Sequence, residues 1–296
     1  MNARRVATLT TAALALAAAS VAAKAAPADS GVDRAVLASL AATYGIRSSV
    51  VAHVDLTGPF GTTAPWTLVV AKQPDDEGLD AYGAGGEGAV SVCFVRGARP
   101  QCSDALFRAL YEKHQYVLAD GVRPLYALFE SRVVRASAST PLLALKACSA
   151  HGGNGSCGIS TFLFAYDAGQ DRFRVVFSNL TGSNNNQATR FIEDGPLQGD
   201  VVVATPTDEA PFTYWIEVYR PAADGAYGRV LRYRGRTGYG DGNRLSVIDS
   251  EMPTLLARFG HWKPGDALPV PPVLPAGCTR LTLRKGVEWC AADRPT

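Results

Sequence analysis

The stretch LLALKACSAHGGNGSCGISTFLFAYDAGQDRFRVVFSNLTGSNN begins at Leu142, and GDVVVATPTDEAPFTYWIEVYRPAADGAYGRVLRYRGRTGYGDGN begins at Gly199. Each has an apolar strand, a loop, and a second strand ending in Tyr166-Asp167 or Tyr219-Arg220. Each then has a tight Asp/Gly turn and a third strand, and closes on Thr181-Gly182 or Thr237-Gly238. The turns Ala168–Asp171 and Ala223–Gly225 carry residues that tolerate φ > 0, the chemistry of β-hairpins. The pattern predicts a β-rich α+β protein of repeated three-stranded antiparallel units with about three short helices. Both a sandwich-like and a partial-propeller-like arrangement fit; two or three units are too few for a complete propeller.

Working toward the N-terminus, Ser49 to Asp55 and Pro65 to Lys72 read as strands around the turn cluster Gly58–Gly61. Ala64-Pro65-Trp66 echoes Ala210-Pro211-Phe212, a weaker third copy of the same hairpin logic. Pro74 to Glu87 is acidic and Gly-rich, an expected exposed loop. Val90 to Val95 and Leu125 to Arg135 are further strands, the latter bent near Glu130. Helices are expected over Ser30–Tyr44, where Val36, Leu37 and Leu40 share a stripe, and over Asp104–His114. After a short strand at Leu245–Ile248, a third helix is capped by Asp249 or Ser250, carries Pro253 in its first turn and stops at Gly260.

The first residues read as an address. Arg4 and Arg5 precede an Ala-rich apolar run, and Ala23-Lys24-Ala25 fits a small-x-small cleavage rule, with Ala22 as the alternative point. Removing Arg4, Arg5 and Lys24 takes the net charge from +2 to −1. The remainder has no Lys/Arg block, so nucleic acid is a poor partner, and no later stretch is long and apolar enough to span a bilayer. The segments are therefore 1–25 as signal peptide, 26–135 as an N-terminal α+β part, 136–263 as the repeated β units plus helix, and 264–296 as a proline-rich connector with a C-terminal hairpin. A periplasmic or secreted location follows.

Six cysteines fall in three local pairs: Cys93/Cys102, Cys148/Cys157 and Cys278/Cys290. Sequence alone leaves several connectivities open. An oxidising compartment and the even count favour neighbour pairing, each bridge contributing about 2–3 kcal/mol by loop closure. In the second central unit Pro206 and Pro211 restrict the corresponding loop instead.

The segment CSAHGGNGSCGISTFLFAY, with PWTLVVA and CFVRGARPQC before it, is similar to disulfide-closed hairpins of uncharacterised exported proteins of Gram-negative bacteria. The resemblance covers about half the chain and implies export and bridged hairpins. GDVVVATP, WIEVYR and GYGDGN resemble an FG-GAP-type β blade. Such blades carry an acidic calcium loop, and only Asp241 and Asn243 stand in those positions here.

Catalytic signatures are sparse. There is no G-x-S-x-G elbow, Walker loop or dinucleotide fingerprint, and full pairing leaves no thiol. Cysteine and histidine spacing does not suit zinc. Among the four histidines, His53 is expected to face solvent or a carbonyl, His114 ends a helix and His261 follows a helix stop; only His151, in the Gly-rich stapled loop, is placed to meet a ligand. Glu193-Asp194 and Asp208-Glu209 are the adjacent acids of the central stretch, a possible carboxylate pair for hydrolysis. The loops Thr181–Asn186 and Thr237–Asn243 are the most ligand-like feature, with Tyr239 as an aromatic platform and Asp241 and Asn243 as oxygens for calcium or sugar hydroxyls. No cofactor is implied. The sequence favours a non-enzymatic envelope protein that binds a glycan or another envelope protein or serves a structural role. The alternatives are an envelope hydrolase working through carboxylates and an inhibitor of a foreign hydrolase.

Overall fold

The runs Leu68–Ala71, Leu142–Leu145 and Val201–Ala204 are apolar at every position because each is buried on both faces of a sheet. Side chains alternate across a strand, so successive residues enter different cores. This is seen in a computed structural model. It describes residues 30–44, 47–74, 76–79, 85–86, 90–102, 125, 127–151, 157–182 and 186–292. The leader expected at 1–25 and the helix expected at 104–114 lie outside them.

Three four-stranded antiparallel meanders form the body. The first is β1 (Ser49–Asp55), β2 (Trp66–Lys72), β5 (Val90–Arg96) and β6 (Arg99–Cys102). The second is β7 (Ala127–Ser137), β8 (Thr140–His151), β9 (Cys157–Asp167) and β10 (Arg172–Gly182). The third is β11 (Ala188–Phe191), β12 (Val201–Pro206), β13 (Tyr214–Pro221) and β14 (Tyr227–Arg234). The two quoted stretches thus supply the last three strands of four-stranded sheets, where three-stranded units are expected. The added strand of the third sheet, Ala-Thr-Arg-Phe, is too short and polar to announce itself. The boundary expected at 135/136 falls inside β7, which pairs with β8 along its length.

The sheets stack face to face. Leu68, Val70 and Phe94 of the first share a core with Leu143, Leu145 and Phe164 of the second. On the second sheet's other face, Leu142, Ala144 and Phe177 meet Val201 and Val203 of the third. Helices close both ends of the stack. Val36 and Leu40 of α1 (Ser30–Tyr44) pack on Val69, Ala71 and Val95. Leu255 and Leu256 of α3 (Val247–Arg258) pack on Val202, Ala204 and Ile216. Where the second and third sheets approach, a Cβ on Gly199 would stand 2.5 Å from the Ala136 carbonyl oxygen, so only glycine fits.

Several expectations are corrected. The turn cluster near Gly58 is one helical turn, α2 (Thr57–Phe60). The 74–87 loop contains a short ladder of β3 (Asp76–Leu79) with β4 (Gly85–Gly86). Helix α3 is capped by Ser246, whose Oγ accepts from the Asp249 amide, and not by Asp249 or Ser250. Ser246 and Asp249 are three apart, the spacing of a capping box. That cap draws Val247 and Ile248 into the first turn, so the expected strand at 245–248 is not formed, and Pro253 lies inside the helix. Gly260 ends the helix at φ 73°, as expected. The bend of β7 is a bulge between Leu128 and Glu130.

All six cysteines form the three neighbour disulfides, with Cα separations of 4.0, 5.6 and 5.7 Å in chain order. Each closes a β-hairpin, the last being β15 (Cys278–Arg284) with β16 (Val287–Ala292). No helix among the described residues is long and apolar enough to cross a membrane.

Candidate functional site

A cavity of about 170 Å³ opens between β11, α3 and the proline-rich connector. Phe191, Ile192 and Leu197 form one wall, the last in the short 3-10 turn Gly195–Leu197. Met252 and Leu256 of α3 form the second. The connector, from Pro269 to Val273, is the third. The connector rests on Gly195, where a Cβ would come within 2.6 Å of a Val270 methyl. Gly195 also has φ 78°, so glycine is required there twice over. Val273, at the end of this wall, is 88 % exposed.

Two ion pairs frame the cavity. Arg190 Nη1 and Nη2 donate to the two Asp249 carboxylate oxygens at 2.5 and 2.9 Å, and Nη2 also donates to Ser246 Oγ at 2.9 Å. Burial works to raise the Asp249 pKa, but Arg190 and the Ser246 hydroxyl outweigh it and hold the carboxyl below its ordinary value. Arg132, from β7, donates to both oxygens of Glu193 at 2.8 and 2.5 Å and to Glu130 at 2.8 Å. Hydrogen bonding from Arg132 depresses the Glu193 pKa, against a smaller opposing effect of burial. Asp194 is exposed, does not cap the turn that follows it, and has no partner among the described residues.

The cavity therefore brings together Glu193 and Asp194, which the sequence marks as adjacent acids, with Asp249. Asp208 and Glu209 are exposed in the loop after β12 and do not line it. A carboxylic general acid needs a raised pKa to hold its proton near neutrality. Glu193 and Asp249 are shifted the other way.

The loop residues occupy other places. Tyr239 is 54 % exposed, with its amide bonded to the Phe212 carbonyl. The Asp241 carboxylate accepts from the amides of Gly238 at 3.1 Å and Asn243 at 2.9 Å. The Asn243 side chain donates to Ser250 Oγ and the Glu288 carbonyl, both at 2.8 Å, and accepts from the amides of Leu245 and Cys290. It fastens α3 to the C-terminal hairpin. Within the loop after β10, the Gly182 amide donates to Gln187 Oε1, and residues 183–185 lie outside the described ones. His151 ends β8 opposite Cys157, and its side chain lies outside the described residues. His53 does not face solvent or a carbonyl: its Nε2 meets the Asp33 carboxylate of α1 at 2.6 Å. His261 stacks beside Phe259.

No family model, curated protein or solved structure matches this chain. The geometry of the cavity is thus the guide to its chemistry. Among the described residues, no three His, Cys, Asp or Glu side chains gather as metal ligands.

The cavity was not visible in the sequence, because its walls come from residues 190–197, 249–256 and 269–273. Its local signals were the Ser246-x-x-Asp249 box and the glycine before a proline at Gly195-Pro196.

Proposed function

We propose that this chain is an exported cell-envelope protein that binds a ligand or partner and does not turn one over. The observation that carries the reading is the apolar cavity whose basic group and two of its three acids are committed to ion pairs within the protein. Such a site offers shape and apolar surface and no acid–base couple. Three hairpin-closing disulfides support residence in an oxidising compartment, periplasmic or extracellular, with the first 25 residues as the export signal. We read the three meanders as one repeated unit stacked in an open array, with resemblance to exported disulfide-hairpin proteins and, in the third sheet, to FG-GAP-type blades. The stack is the rigid body against which the cavity is held.

A hydrolase is the second reading, and a specific observation favours it: Glu193, Asp194 and Asp249 line one cavity. Turnover separates the two. The oxidised protein is incubated with cell-wall fragments, polysaccharides and peptides, and bond cleavage is followed by released reducing ends and amines. The binding reading expects no cleavage. Cleavage abolished by Glu193→Gln or Asp194→Asn in a folded variant establishes the hydrolase.

A further inference from the structure

We infer that the cavity beside α3 takes an amphiphilic amine, with an apolar body about the size of one ring and a protonated nitrogen that meets Asp194. The inference rests on the binding reading above and adds the ligand's chemical class.

Size sets the body. Apolar cavities of roughly 150 Å³ lined by Leu, Ile and Phe stay dry and accept benzene. The present cavity, about 170 Å³ and walled by Phe191, Ile192, Leu197, Met252 and Leu256, matches one ring or a short branched alkyl group.

Charge sets the head group. Arg190 is held by both oxygens of Asp249, and Arg132, just outside the lining, by both oxygens of Glu193. A carboxylate ligand would have to displace a bidentate carboxylate already in place. The one lining charge without a partner among the described residues is the Asp194 carboxylate. It immediately precedes Gly195, the seat of Val270, so it lies where the connector meets the cavity wall. A ligand that fills the apolar space and ends in a cation gains Coulomb energy there, and no other formal charge must be uncovered. At a partly exposed site a contact of this kind strengthens binding by about fivefold or more, and salt weakens it.

The test uses three ligands of one shape: cyclohexylmethylamine, cyclohexylmethanol and cyclohexanecarboxylate. Affinities for the oxidised protein are measured by calorimetry or amide chemical shifts at low salt. The inference expects the amine to bind about fivefold or more tightly than the alcohol, and the carboxylate most weakly. Asp194→Asn, an exposed position, should bring the amine down to the alcohol's affinity and leave the alcohol unchanged. Met252→Trp should weaken both by filling the cavity, with a thermal melt confirming the fold. Equal affinities for amine and alcohol, or an amine indifferent to Asp194→Asn, overturn the inference and leave the binding reading standing. No binding of any of the three at the cavity overturns both.

Discussion

The indole Nε1 of Trp66 donates to the carboxylate of Asp171 at 2.9 Å, although the two residues stand 105 positions apart. Trp66 is fully buried at the start of β2, and Asp171 occupies the turn between β9 and β10. Tyr166 donates to the same oxygen at 2.7 Å, and Arg96 of β5 pairs with the other. One turn of the second sheet thus ties down both inner strands of the first. The T-shaped contacts of Phe173 with Phe60 and Trp66 sit beside this clamp.

Hydrogen bonds from Tyr166 and then Trp66 hold the Asp171 carboxyl below its ordinary pKa. A depressed carboxyl contributes stability that is present above its unfolded pKa and lost as pH falls through the folded value. Asp171→Asn should therefore lower the melting midpoint at pH near 7, and the gap to the parent should narrow as pH falls toward about 3. Tyr166→Phe, which removes one of the donors to this carboxylate, should lower the midpoint by less than Asp171→Asn does. Equal midpoints for parent and Asp171→Asn at neutral pH would show that the clamp contributes nothing.

Glu251 holds the far end of the stack. Its side chain is buried in α3, and one carboxylate oxygen accepts from the amides of Arg236 and Thr237 at 2.5 and 2.7 Å and from Thr237 Oγ1 at 2.9 Å. The other oxygen receives the Tyr233 hydroxyl at 3.3 Å. Gly235 leaves room for this, since a Cβ there would stand 2.9 Å from the carboxylate. Glu251→Ala strips four donors of their acceptor and should cost on the order of 3 kcal/mol. Amide exchange at Arg236 and Thr237 should accelerate well beyond the global change; uniform acceleration would argue that the loop is held by something else.

The C-terminal hairpin carries an opposite case. Glu288 Oε2 is buried with no hydrogen-bond partner among the described residues, and burial raises the carboxyl pKa. The folded state then binds the proton more tightly than the unfolded state. Its contribution is fully present below the unfolded pKa and lost as pH rises through the folded one. Glu288→Gln should consequently stabilise the protein at neutral pH and give little or no gain near pH 4. Denaturant titrations at the two pH values decide it, and a variant less stable than the parent at pH 7 would reverse the assignment.

Much of the scaffold was legible because it rests on local rules. Continuous apolar runs such as Val201–Val203 marked buried strands, Asp/Gly turns marked the hairpins, and the cysteines paired with their sequence neighbours. What escaped depends on contacts between distant segments. Ala188–Phe191 becomes a strand because β12 offers it an edge. His53 finds Asp33 only when α1 lies on the first sheet. The start of α3 is not legible in the sequence because Ser246 and Asp249 act as a pair, and the apolar Val247 and Ile248 between them fit strand or helix equally well. The Asn243 amide joins Ser250 and the Glu288 and Cys290 backbone, contacts that no local pattern reveals.

The central claim is that the cavity beside α3 is a binding site, and amide chemical-shift mapping with cyclohexylmethanol tests it most directly, since that probe has no charge to attract it elsewhere. The account expects saturable shifts grouped at residues 190–197, 249–256 and 269–273, and their loss in Met252→Trp. Shifts scattered over the three sheets, or none as the probe approaches its solubility limit, would contradict it.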